Sequence, residues 1–131
     1  MQKFDVYVQK FFQGALVAQN FDYSDMKSVR KANRGVDKYR QAVKDIGAFY
    51  PQRLQEFASV ALQYENVGVC CCAAFAILDL TEPSSFIVEK ALNVIFDALY
   101  KAKPGTRMGY NFWLNKYFEK HPEYQDMDKR K

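Results

Sequence analysis

The sequence predicts an all-α fold of about six antiparallel helices, arranged as an α-solenoid or a compact bundle around a buried helix near 67–80. Three observations predict it. Residues 67–80 read Val-Gly-Val-Cys-Cys-Cys-Ala-Ala-Phe-Ala-Ile-Leu-Asp-Leu, with Asp79 the only charge. A helix apolar on every side must be enclosed, and at 1.5 Å per residue this one spans only about 21 Å, too short for a bilayer. The flanking segments place apolar residues three and four apart, as amphipathic walls do. Finally, four Pro and six Gly leave room for long helices, and no run alternates like a strand.

Phe4, Val8, Phe11, Ala15 and Leu16 form one stripe on a first helix at about 2–19. Asn20-Phe21-Asp22-Tyr23 connects it to a second, about 25–46, for which Ser24 is the expected cap. Val29, Ala32, Val36, Tyr39, Val43 and Ile46 draw a narrow seam along that helix. Gly35 interrupts the seam where a neighbour can approach closely, and Gly47 is placed to end the helix. Pro51 suits the first turn of a third helix, about 51–63, with Leu54, Phe57, Ala58, Ala61 and Leu62 inward. Asn66 can cap the apolar fourth helix.

Glu82-Pro83-Ser84-Ser85 breaks the chain and caps a fifth helix, about 85–101, whose stripe is Val88, Ala91, Leu92, Ile95 and Leu99. Lys101 to Gly105 is the next turn. A sixth helix, about 106–120, carries Met108, Phe112, Trp113, Leu114, Tyr117 and Phe118. Residues 1–120 are thus expected to form one helical domain, and 121–131, charged and holding Pro122, a frayed tail. Connections of about 3–6 residues set neighbouring helices antiparallel.

The chain carries a net charge of +4, unevenly placed. Residues 24–47 hold seven bases and three acids; residues 48–100 hold two bases and six acids. Such polarity bears on partners and association rates. Met1-Gln2-Lys3-Phe4-Asp5 does not read as a secretory leader, no membrane span is visible, and a cytoplasmic location is expected.

Little here suggests chemistry. Cys70, Cys71 and Cys72 are consecutive, so on a helix they point about 100° apart and lack the spacing of a zinc or redox pair. They read as small core side chains of a reducing compartment. His121 is the only histidine and lies in the expected tail. Asp79 and Glu82 read as helix-ending residues, and Lys103-Pro104-Gly105-Thr106-Arg107 lacks phosphate-loop spacing. No enzyme, metal, cofactor, small-molecule substrate or membrane is expected.

Several words resemble a family of small bacterial proteins with a HEAT-like helical fold. They are Lys31-Ala32-Asn33-Arg34 with Asp37-Lys38-Tyr39, then Cys72-Ala73-Ala74-Phe75-Ala76-Ile77-Leu78 before Glu82-Pro83, then Ala91-Leu92-Asn93-Val94-Ile95, and Gly109 with Trp113-Leu114. The likeness covers about residues 4–118. The family usually has an Arg before the Ala-Ala pair, where this chain has Val-Cys-Cys-Cys. Proteins of this kind resemble immunity proteins of the contact-dependent growth inhibition type, encoded beside a bacterial toxin and binding it. The resemblance implies a HEAT-like fold and a protein that occludes the active site of a toxin, with a nuclease the expected one.

Two groups of residues are the candidate partner surface. Lys27, Lys31, Arg34 and Lys38, spaced four, three and four, share one face of the second helix, with Arg30 beside them. Such a face suits an acidic protein surface or phosphates. On the sixth helix Tyr110, Trp113 and Tyr117 are the expected anchors, since Trp, Tyr and Arg dominate interface hot spots. Asn33, beside the seam, is expected to be buried and hydrogen-bonded. A net charge of +4 opposes a basic nuclease, so contact with such a toxin would fall to the acidic middle or to an acidic toxin surface. Two other functions fit the same residues: a nucleic-acid-binding module, in which the basic row meets phosphates and the rings stack bases, and a scaffold joined through exposed aromatics.

Overall fold

A computed structural model gives the fold; it describes residues 1–19 and 22–130. The chain runs α1 (Phe4–Gln19), α2 (Met26–Phe49), a 3-10 turn (Pro51–Arg53), α3 (Leu54–Ala61), α4 (Val67–Leu80), α5 (Ser85–Lys101), α6 (Pro104–Lys120) and a second 3-10 turn (Pro122–Met127). Among the described residues there is no strand, and the protein is all-α. Asn20 and Phe21 of the expected first connection lie outside the described residues.

The helix ends follow local chemistry. Asn66 caps α4 by accepting the Val69 N–H at 3.1 Å, and Ser84 caps α5 through the Ile87 N–H at 3.4 Å. For α2 the cap is Asp25, whose carboxylate accepts the Lys27 N–H at 3.0 Å. Ser24 is drawn away, donating its hydroxyl to Asp22 at 2.7 Å. Pro104 opens α6 two residues before the expected start, because the missing proline N–H is unneeded in a first turn.

Gly47 does not end α2, which runs on to Phe49. A β-carbon at Gly47 would lie 2.7 Å from the Thr81 methyl, so this glycine makes room for the C-terminal end of α4.

α4 lies at the centre and packs against α1, α2, α3 and α5. Val69, Ala73, Ala74, Ala76 and Ile77 are fully covered there. The inward residues expected on α3 and α5 are all buried. Other expected core positions are less covered: Val8, Val29 and Val36 are only partly buried, Leu16 is 40% exposed on α1, and Asn33 faces outward on α2. Asn33 sits at the border of the seam and is exposed.

α1 and α2 cross at glycines. A β-carbon on Gly14 would stand 2.6 Å from the Gly35 carbonyl oxygen, and one on Gly35 would stand 2.7 Å from that of Gly14.

As far as Arg130 the expected tail is packed on the helices. Tyr124 and Met127 pack on the core. The Arg130 guanidinium pairs with Asp128 at 2.8 Å and donates to the Asn115 side chain on α6 at 2.8 Å. Tyr100 on α5 donates to the Lys129 carbonyl at 2.8 Å. The sequence after Pro122 is mostly polar, with Tyr124 and Met127 its apolar residues, and their order comes from packing against helices distant along the chain.

Candidate partner-binding surfaces

The row on α2 is exposed throughout: Lys27, Arg30, Lys31, Arg34 and Lys38 all face solvent. Its position follows from the seam. Ala32, Gly35, Tyr39, Ala42, Val43 and Ile46 turn inward, and at 100° per residue the row lies about a quarter-turn away, on the α1 side. Lys38 confirms the side by donating to Gln13 of α1 at 2.8 Å. Three ion pairs are seen among the described residues, Arg40–Asp79, Arg53–Glu56 and Arg130–Asp128, and none involves the row. Asp25 is engaged with the Lys27 backbone and Asp45 with Gln41. The adjoining helix α1 has a single acid, Asp5, at its far end.

The aromatic residues of α6 are arranged differently from the expectation. Tyr117 is buried, and Tyr110 and Trp113 are half-buried. Trp113 stacks on Tyr117 with ring centres 5.0 Å apart and planes 11° from parallel, and Tyr117 in turn stacks on His121 at 4.4 Å. Phe75 of α4 meets both Trp113 and Tyr110 edge-on, at 4.8 and 5.3 Å. The indole N–H of Trp113 donates to Asp79 at 3.1 Å, and Arg40 of α2 pairs with the same carboxylate at 3.7 Å. These rings tie α2, α4 and α6 together, and their faces are largely taken up by each other. That leaves little room for stacked bases.

The exposed apolar residues of α6 are Met108, 73% exposed, and Phe112, 61% exposed. One turn apart, they line a shallow depression of about 470 Å³ with Pro104, Arg107, Asn111 and Asn115. The Lys116 ammonium sits 4.8 Å from the centre of the Phe112 ring. Sequence reasoning placed both residues on the sixth helix without separating its inward from its outward side chains. One signal was present: Phe112 lies about 200° around the helix from Leu114, which is fully buried.

The basic row and the α6 residues do not meet. The row flanks α1, while the opposite flank of α2 carries Arg40 and leads through Asp79 to Trp113.

The three thiols take separate directions, as their spacing predicts. Cys70 donates to the Tyr64 carbonyl at 2.7 Å, while Cys71 lies beside the Tyr110 phenol and Cys72 beside the Tyr39 phenol. Burial pushes all three thiols above the ordinary cysteine range. The same cause raises Tyr110 and Tyr117 to about 12. Cys70 and Cys71 line a groove of about 450 Å³ between α4, α5 and α6, with Val94, Ala98 and Tyr110 beside them.

Among the described residues no cluster of His, Cys, Asp and Glu could hold a metal ion, and no helix is long and apolar enough to cross a membrane. No family model, curated protein or solved structure matches the chain.

Proposed function

We propose that this chain is an immunity protein that binds a bacterial toxin, with a nuclease the expected one, and blocks it by covering its active site. The observation that carries the proposal is the outer face of α6. Met108 and Phe112 stand out from a helix whose other side is fixed in the core by Leu114, Tyr117 and Phe118. An apolar pair on a rigid support, with a cation beside it, has the make-up of an interface anchor. A helix held this firmly binds without a large ordering penalty. The partner role comes from the resemblance in the sequence; the structure contributes the surface that would serve it.

Charge refines the reading. Glu65, Glu82, Glu89 and Asp97 are exposed and enter none of the ion pairs seen among the described residues, so a basic nuclease would be drawn to that middle region and repelled by the row on α2.

The test is direct. The chain is co-expressed with the product of the adjacent reading frame, and complex formation is followed together with the activity of that product. A stable one-to-one complex that silences the activity supports the proposal. Replacing Met108 and Phe112 by Ala is expected to weaken the complex by at least about tenfold and to leave the melting temperature unchanged. Absence of any complex overturns the proposal.

A further inference from the structure

We propose that the groove between α4, α5 and α6 takes a small single-chain amphiphile, an alkyl chain ending in a carboxylate. The groove holds about 450 Å³, a volume in the range of small-ligand sites. Its space comes from small side chains on three helices. α4 brings Gly68, Cys70 and Cys71, α5 brings Ala98 and Ala102, and α6 brings Thr106. The first half of α6 also stands clear of the core. Residues 104–109 are exposed, nothing lies within 4 Å of a β-carbon added at Gly105 or Gly109, and Leu114 is the first buried residue of the helix. Along α5 the wall from Val94 to Ala102 spans about 12 Å of helix axis, so a slender chain can follow it.

Charge gives the groove a direction. Lys101 lines it where α5 ends. This lysine is exposed, and no ion pair reaches it among the described residues. The groove also takes in the starts of two helices, through Val67 and Gly68 of α4 and Thr106 of α6. Helix starts carry partial positive charge, and no side chain caps α6. A carboxylate head therefore sits beside Lys101, with its alkyl chain along Ala98 and Val94 towards Cys71.

Asp97 is the only acid lining the groove, one turn before Lys101, and it opposes an anion. Against it stand the lysine and the two helix starts, so an anionic head is preferred to a cationic one. Thr106 and Tyr110 lie on the opposite side of α6 from Met108 and Phe112. Binding here is thus separate from the toxin contact, and each can fail without the other.

The test is calorimetric titration of the full chain with decanoate and with decyltrimethylammonium. Decanoate is expected to bind at least about tenfold more tightly. Lys101→Glu should reverse that order, and Asp97→Asn should tighten decanoate. Both residues are exposed, and an unchanged melting curve verifies that the fold is intact. Ala98→Phe fills the groove and should abolish binding of both probes; if this variant does not fold, the two charge variants carry the test. In the unaltered protein, decanoate should suppress alkylation of Cys70 and Cys71, which line the groove, and leave that of Cys72 unchanged. Equal binding of the two probes, no binding of decanoate, or undiminished alkylation of Cys70 and Cys71 overturns the proposal.

Discussion

Gly14 and Gly35 meet backbone to backbone where α1 crosses α2, each placed so that a β-carbon would run into the other's carbonyl oxygen, at 2.6 and 2.7 Å. The Tyr39 amide nitrogen lies 2.7 Å from the same point above Gly14, and that of Ala18 lies 2.8 Å from the point above Gly35. Backbone cannot step aside as a side chain can. Gly14→Ala and Gly35→Ala are each expected to destabilise the protein by about 2–3 kcal/mol, a fall of roughly 6–12 °C in Tm. Gly109→Ala on α6 is the control. Nothing lies within 4 Å of its added methyl, so it should stabilise by about 0.5–1 kcal/mol. Thermal melts of the three variants check the ordering.

The bond between Trp113 and Asp79 gives a second prediction. Asp79 accepts the indole N–H and faces Arg40, with about a third of its side chain exposed. Asp79→Ala should cost about 1 kcal/mol, since both interactions are partly wet. Trp113 is the only tryptophan, so its fluorescence reports the loss directly. An unaltered emission spectrum in the variant would contradict the bond.

Alkaline pH should unfold the protein in a defined direction. The thiols Cys70, Cys71 and Cys72 and the phenols of Tyr110 and Tyr117 keep their protons in the fold at pH values where the unfolded chain releases them. The unfolded state then binds fewer protons than the native one, and stability falls as pH rises. The fall starts near the ordinary thiol value of about 8.5, continues past the ordinary tyrosine value of about 10, and runs towards about 12, the value of the buried phenols. Below about pH 8 these groups leave stability flat. Melting temperatures between about pH 7 and about pH 11 test the slope, and a flat profile would refute it.

The C-terminal turn should act as a clasp on the last hairpin. Arg130 reaches Asp128 and the Asn115 side chain, while Lys129 bonds Asn93 and accepts from Tyr100. Arg130→Ala is expected to destabilise by about 1–3 kcal/mol through lost charge-assisted bonds. Hydrogen exchange should rise in α5 and α6 and stay unchanged at the α1–α2 crossing. A uniform rise would contradict a local clasp.

Much of the helical layout was legible because each helix carries its own instructions. Residues 67–80 are apolar on all sides, Asn66 stands before them, and the helix spans Val67–Leu80. Elsewhere the deciding contact lay outside the helix's own pattern. Gly47 looks like a stop by its letter, yet it accommodates Thr81. Ser24 and Asp25 are both good caps, and the choice fell to Asp25 once Ser24 bonded Asp22.

The candidate surfaces divided along the same line. The basic row follows from interval alone, and the structure leaves every member exposed. On α6 the aromatic letters crowd the whole circumference, so periodicity could not separate Tyr117 from Phe112. Packing against Phe75 and Asp79 set Trp113 inward and left Met108 and Phe112 outside.

The central position of α4 has a consequence during synthesis. This helix leaves the ribosome after α1, α2 and α3 and before α5, which covers much of its remaining surface. At about 5–20 residues per second, its uncovered side waits roughly a few seconds for the next helix to emerge. The nascent chain then displays a bare, nearly chargeless cylinder, and slow translation of the stretch after Leu80 would lengthen that exposure to chaperones and to aggregation.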